Sequence, residues 1–198
     1  MNYVERYDAY LKKHKAKQNR GARGTTDSER NKCYKAEHGM LRAMPPVKQF
    51  KDIKEAQKFA AKIYKTKTWQ KLFAQSRDLD ISKVFDTPNV PIELKSRSTG
   101  RGTAGWTTGK KVVLDKHAGM DAYTLVHELT HCLGHMHHGR SFRKTLLGMV
   151  GVFLGADYKK ELKTQFKKQK LAFGDARKPM EFEQWKASVQ RMEKMRNG

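Results

Sequence analysis

Apolar side chains recur along most of this chain at helical rather than strand spacing. Ile53, Ala56, Ala60 and Ile63, with Phe59 and Tyr64 beside them, predict one amphipathic helix over 52–75 with Asp52 near its start. Residues 2–18 predict a short helix crowded by Lys12, Lys13, Lys15 and Lys17, and Asn19 to Thr26 reads as a linker. Thr26 or Asp27 is placed to cap a helix running to about Ala43, where Pro45-Pro46 ends it. Asp121 to Gly134 reads as a helix, and Phe142, Leu146, Met149, Val150 and Phe153 line the face of another that ends near Gly155. A strongly basic helix over 156–171 follows. Pro179 opens a last helix with the stripe Phe182, Trp185, Val189 and Met192, expected to dock on the domain.

Strand signals are few. Pro88 and Pro91 flank a turn, and Val90 to Lys95 reads as a strand. Ser98 to Gly109, with four glycines and Trp106, suggests a hairpin or loop. The β-branched Val112-Val113-Leu114 makes 110–115 the clearest strand. Helix, short sheet, then helices is the order of an α+β domain.

The length of 198 residues fits one domain with arms. No apolar run approaches the ~20 residues of a membrane helix, the longest being Leu146 to Gly155. The polar, basic first thirty residues lack a standard secretory signal. Cys33 and Cys132 cannot make a disulfide scaffold, so a reduced, cytoplasmic setting is expected, with no membrane partner. The formal net charge is +22, spread as +7 over 1–49, +6 over 50–139 and +9 over 140–198. Such a surface attracts polyanions, non-specific nucleic acid among them. No zinc-finger, RNA-recognition or basic-zipper signature accompanies it.

The chemistry concentrates in His127-Glu128-Leu129-Thr130-His131. Two histidines four apart lie one turn apart on the same helix face, so both imidazoles can reach one tetrahedral zinc. Glu128 projects beside them, where it can serve as general base toward a zinc-activated water. Five of the eight histidines fall between 127 and 138, and a three-ligand hydrolytic site needs one more of them. His135 continues the four-residue series, but Gly134 interrupts the helix. His137 completes the metzincin spacing with Gly134. His138 opens His138-Gly139-Arg140-Ser141-Phe142 at the start of the next helix. Tyr123, His117, Tyr158 and the spare histidines are candidate oxyanion donors. Cys132 reads as a buried core thiol, and Cys33 with His38 is too sparse for a second zinc site.

At these residues the chain resembles the mycobacterial-type HExxH metallohydrolases, a family similar in pattern to SprT-like zinc proteases. The zinc helix, the His-Gly-x-x-Phe element at His138 and the closing Leu154-Gly155 carry the resemblance. So does an N-terminal element in which Asp27, Arg30, Tyr34 and Glu37 match, while Thr26 stands where the family has arginine. The strand region, Ile92 to Leu114 with Arg97 and Arg101, is similar in layout. Arg140-Ser141 replaces the usual Pro-Glu, and the loop between the second and third ligands is short.

The resemblance spans about 26–172, leaving a basic arm over 1–25 and an amphipathic helix over 173–198. It implies a zincin-like domain, with a short sheet packed on the HExxH helix and flanking helices. It favours His138 over His137 as the third ligand, and it implies an edge strand near 110–115 that aligns an extended peptide. The expectation is a zinc metallopeptidase-like hydrolase with a protein or peptide substrate, acting near nucleic acid by analogy with SprT-like enzymes. The alternative is a basic nucleic-acid-binding protein with a structural or degenerate zinc site, and a phage- or mobile-element role fits either.

Overall fold

The computed structural model describes residues 2–20, 27–77, 88–95, 104–107, 111–135, 137–174 and 181–197. The chain divides into two compact units, one of Asp27–Gly174 and one of both termini, Met1–Thr26 with Asp175–Gly198. The glycine-containing linker, Arg97, Arg101 and Pro179 lie outside the described residues, as does much of Ser98 to Gly109.

The larger unit is mixed α and β, mostly helical, around a three-stranded sheet. Helices α2 (Arg30–Ala43), α3 (Ile53–Tyr64) and α4 (Lys67–Arg77) precede strands β1 (Ile92–Leu94), β2 (Gly105–Thr107) and β3 (Val112–Leu114). Helices α5 (Ala122–His131), α6 (Arg140–Phe153) and α7 (Ala156–Lys168) follow. The strand order is β1-β3-β2, with β1 parallel and β2 antiparallel to β3. The strand expected at an edge, β3, is therefore central, and all three of its residues are buried. Its apolar run suits a position bonded on both sides. β2 takes an edge and packs on α5.

The single helix expected over 52–75 is two. Asp52 caps α3 by accepting from the Glu55 amide at 2.9 Å, and the Glu55 carboxylate accepts from the Lys51 amide at 3.1 Å. Thr66 then breaks the run: its hydroxyl donates to the Ile63 carbonyl and accepts from the Trp69 amide. A side chain that ends one helix and starts the next outweighs a continuous apolar stripe. The turn lets Trp69 bury completely against Tyr64, while its indole N–H donates to the Pro88 carbonyl at 2.9 Å.

Asp121 caps α5, accepting from the Thr124 amide at 2.8 Å. Residues 48–50 pin this end of the helix, the Ala122 amide donating to Lys48 and the Phe50 amide to Met120. Leu125, Val126 and Leu129 are fully buried on α5, and Phe142, Leu146, Met149 and Val150 face the same core from α6. Helix α7 closes over α2 and α6 through Leu162 and Phe166.

The smaller unit pairs α1 (Tyr3–Arg20) with α8 (Phe182–Asn197). The stripe of the last helix finds its partner there: the Tyr7 ring meets Phe182 at 5.1 Å and Trp185 at 5.3 Å. Arg6 pairs with Glu193 at 2.9 Å, and Met192 stays exposed. No helix among the described residues is long and apolar enough to cross a membrane.

Candidate metal centre

His127 and His131 project from the same face of α5, as their spacing dictates. Gly134, with φ of +89°, turns the chain just past the helix, in a conformation that favours glycine. The turn brings the His135 carbonyl back to His131 and delivers His138 at the entry to α6. The Nε2 atoms of His127 and His131 are 3.2 Å apart, and those of His127 and His138 are also 3.2 Å apart. One ligand atom from each of the three lies within 4.8 Å of the others, so the trio could hold one metal ion. His127 and His138 are buried and His131 is partly buried.

Each ring is oriented through its other nitrogen. The His131 Nδ1 faces the His135 carbonyl at 2.6 Å, and the His138 Nδ1 faces the Asp27 carboxylate at 2.5 Å. Glu37 Oε2 lies 3.1 Å from His127 Nδ1, bent away from ideal hydrogen-bond alignment. These acceptors place the ring proton on Nδ1 and leave Nε2 bare on the side where the rings converge. Three lone pairs aimed at one point repel one another unless a cation or proton sits between them. Burial lowers the proton affinity of His131, with His127 adding to the effect. Burial also lowers His138, against the upward pull of Asp27. At His127, burial is outweighed by Glu37, which holds the proton affinity up.

Two carboxylates, Asp27 and Glu37, support the cluster from the N-terminal side of the larger unit. Asp27, expected to cap α2, instead binds His138, and Glu29 takes the cap position with no side-chain bond. A charge-assisted bond to imidazole is a stronger partner than a solvated helix end. Glu37 is buried, which would raise its pKa, but His127 and the Cys33 thiol hold it below the usual range. The thiol donates to Glu37 Oε1 at 3.0 Å. Asp27, Arg30, Tyr34 and Glu37 fall three, four and three residues apart, the spacing of one helix face, and that was the readable signal.

Phe142 forms the floor. Its ring centroid lies 5.1, 4.5 and 4.9 Å from those of His127, His131 and His138. Arg143 fixes the loop: its guanidinium donates to the His138 carbonyl, the Ala172 carbonyl and the Glu29 carboxylate, and its side chain is buried.

Glu128 follows the first ligand and shares with it a cavity of about 270 Å³. Burial pushes its carboxyl up to about 7, opposed by His127 and aided by Glu37. Edge strand β2 passes close over it, so that a Cβ added to Gly105 would lie 3.0 Å from Glu128 Cγ and 3.2 Å from its Oε1.

The remaining candidates separate cleanly. His137 is not a member of the trio. His135 turns its Nε2 to the Thr145 hydroxyl at 2.9 Å. Tyr158 donates to the Pro45 carbonyl, and His117 is exposed in a turn beside Asp115. Cys132 is buried and donates to the Glu128 carbonyl at 3.3 Å. Compared with known proteins, the chain matches no family model, no curated protein and no solved structure.

Proposed function

We propose that this chain is a zinc-dependent hydrolase of metallopeptidase type with a zincin-like arrangement of sheet and ligand helix. The observation that carries the reading is the convergence of three Nε2 atoms beside the buried Glu128. A set of three imidazole nitrogens suits zinc, and three protein ligands with an open fourth position define its catalytic sites, whereas structural sites use four. Bound there, zinc would polarise a carbonyl and acidify water. Glu128 would accept a proton from the attacking water and return it to the departing amine nitrogen. β2, the edge strand beside Glu128, supports an extended peptide laid antiparallel along it, with backbone bonds holding the scissile group over the site.

A second reading rests on the +22 charge: a basic nucleic-acid-binding protein whose zinc is structural or lost. Lys159, Lys160, Lys163, Lys167 and Lys168 are exposed on α7 and fit such a surface. The two readings diverge at Glu128. One zinc per chain, lost in His131→Ala and His138→Ala and retained in His137→Ala and Glu128→Gln, is expected under the hydrolase reading. Hydrolysis of labelled casein, assayed with and without double-stranded DNA, should then vanish in Glu128→Gln. A wild-type chain that takes up no zinc after repletion overturns the hydrolase reading. Steeply salt-dependent DNA binding unaffected by Glu128→Gln, with no hydrolysis, favours the second.

A further inference from the structure

Stabilising the oxygen that gains charge when a carbonyl is attacked requires a hydrogen-bond donor on the cavity wall. Of the residues that the sequence suggests, the structure keeps Tyr123 on this cavity. Tyr158 and His135 are bonded elsewhere, and His117 lies on the surface. Tyr123 does line the cavity that holds Glu128, but it is 4% exposed, its hydroxyl is enclosed, and its ring stands 6.3 Å from His127. Tyr34 is different. It stands on α2, half-buried, and lines the same cavity as Glu128. Its ring meets His138 edge-on at 4.9 Å and lies 6.0 Å from His127. The Arg30 guanidinium lies over the Tyr34 ring, 5.3 Å from its centroid and one helical turn earlier, and its positive charge acts on the hydroxyl.

We propose that Tyr34 is a catalytic residue whose hydroxyl donates a hydrogen bond to the developing oxyanion, and that Arg30 is the positioning residue that aims and polarises it. This rests on the hydrolase reading above. Water adds to the carbonyl carbon as Glu128 takes its proton, the carbonyl π pair moves onto oxygen, and Tyr34 meets that charge from the wall of the cavity it shares with Glu128. The exposed Arg30 supplies positive charge at the mouth of the same cavity.

The test separates oxyanion recognition from metal binding. The full chain is loaded with Co²⁺, whose visible bands report ligand entry, and titrated with phenylphosphonate and, separately, with 2-mercaptoethanol. The phosphonate presents tetrahedral oxygens to the wall, and the thiol engages the metal alone. Tyr34→Phe should keep one metal per chain and bind the thiol as the wild type does, while its phosphonate affinity falls roughly 10- to 100-fold, as for a lost bond to a charged group. Arg30→Met, at an exposed position that folding tolerates, should show the same split at smaller size, with Arg30→Lys restoring part of it. Equal affinity of wild type and Tyr34→Phe for the phosphonate, or equal losses for both probes, overturns the role of Tyr34 and leaves the hydrolase reading standing. A wild-type chain that binds neither metal nor phosphonate overturns both.

Discussion

The Asp27 carboxylate meets Nδ1 of His138 at 2.5 Å across a separation of 111 residues. That contact sets the tautomer of the third ligand and fixes the ring against α2. Asp27, not one of the three clustered histidines, thus governs how well the trio could hold a metal ion. Outer partners of this kind are worth 10- to 100-fold in metal affinity. Asp27→Ala should weaken zinc binding by about that factor in chelator competition, with helix content by circular dichroism unchanged. Asp27→Asn, which keeps an acceptor oxygen but loses the charge, should fall between.

Gly105 leaves room for Glu128 beneath β2. Gly105→Ala should keep the zinc stoichiometry and displace the carboxylate, lowering turnover by roughly 10-fold or more through misplacement of the general base. Metal analysis beside casein hydrolysis checks this, and loss of zinc in the variant would contradict it.

Arg143 is 1% exposed and satisfies two carbonyls and a carboxylate at once. Arg143→Met leaves the His138 and Ala172 carbonyls without this donor, and should cost about 3–5 kcal/mol in denaturant unfolding. Arg143→Lys should recover little, because an ammonium cannot span acceptors placed for a planar fork.

Phe142 is fully buried beneath all three imidazoles. Phe142→Ala should cost about 3–5 kcal/mol of stability, with zinc affinity falling alongside because the rings lose their common floor. Phe142→Leu should retain more of both. Thermal unfolding with and without zinc separates the two effects.

Metal removal should itself destabilise the larger unit. A ligand held only by the folded state adds about 2.7 kcal/mol when its free concentration is 100 times its Kd. Chelation should therefore lower the melting temperature of the wild type and leave that of His131→Ala where it was.

The legible parts of this molecule are those that local chemistry dictates. His127, Glu128 and His131 were readable because their relation is a helical repeat, and the helix that carries them begins at an aspartate placed to cap it. His138 could not be told from His137 by spacing, because the choice depends on the turn at Gly134 and on a carboxylate more than a hundred residues away. The break at Thr66 was hidden by an apolar stripe that continues through it. The central place of β3 was hidden for another reason: strand order comes from the whole packing, and three buried residues read alike in a middle strand or a covered edge. The carboxylates of α2 showed as a helix face with no visible purpose until the fold supplied the histidines they serve.

The span between Asp27 and His138 has a consequence for the order in which the protein assembles. Helix α2 leaves the ribosome before α5 and α6, and Asp27 and Glu37 then have none of these imidazoles to hold. The ligand set closes only after α5, the turn and the start of α6 have been made and folded back. Contacts this distant in sequence form late, because the entropy of closing so long a loop must be overcome before they return anything. A partly synthesised or clipped chain lacking either end of that loop therefore cannot assemble the three histidines together with their carboxylate support.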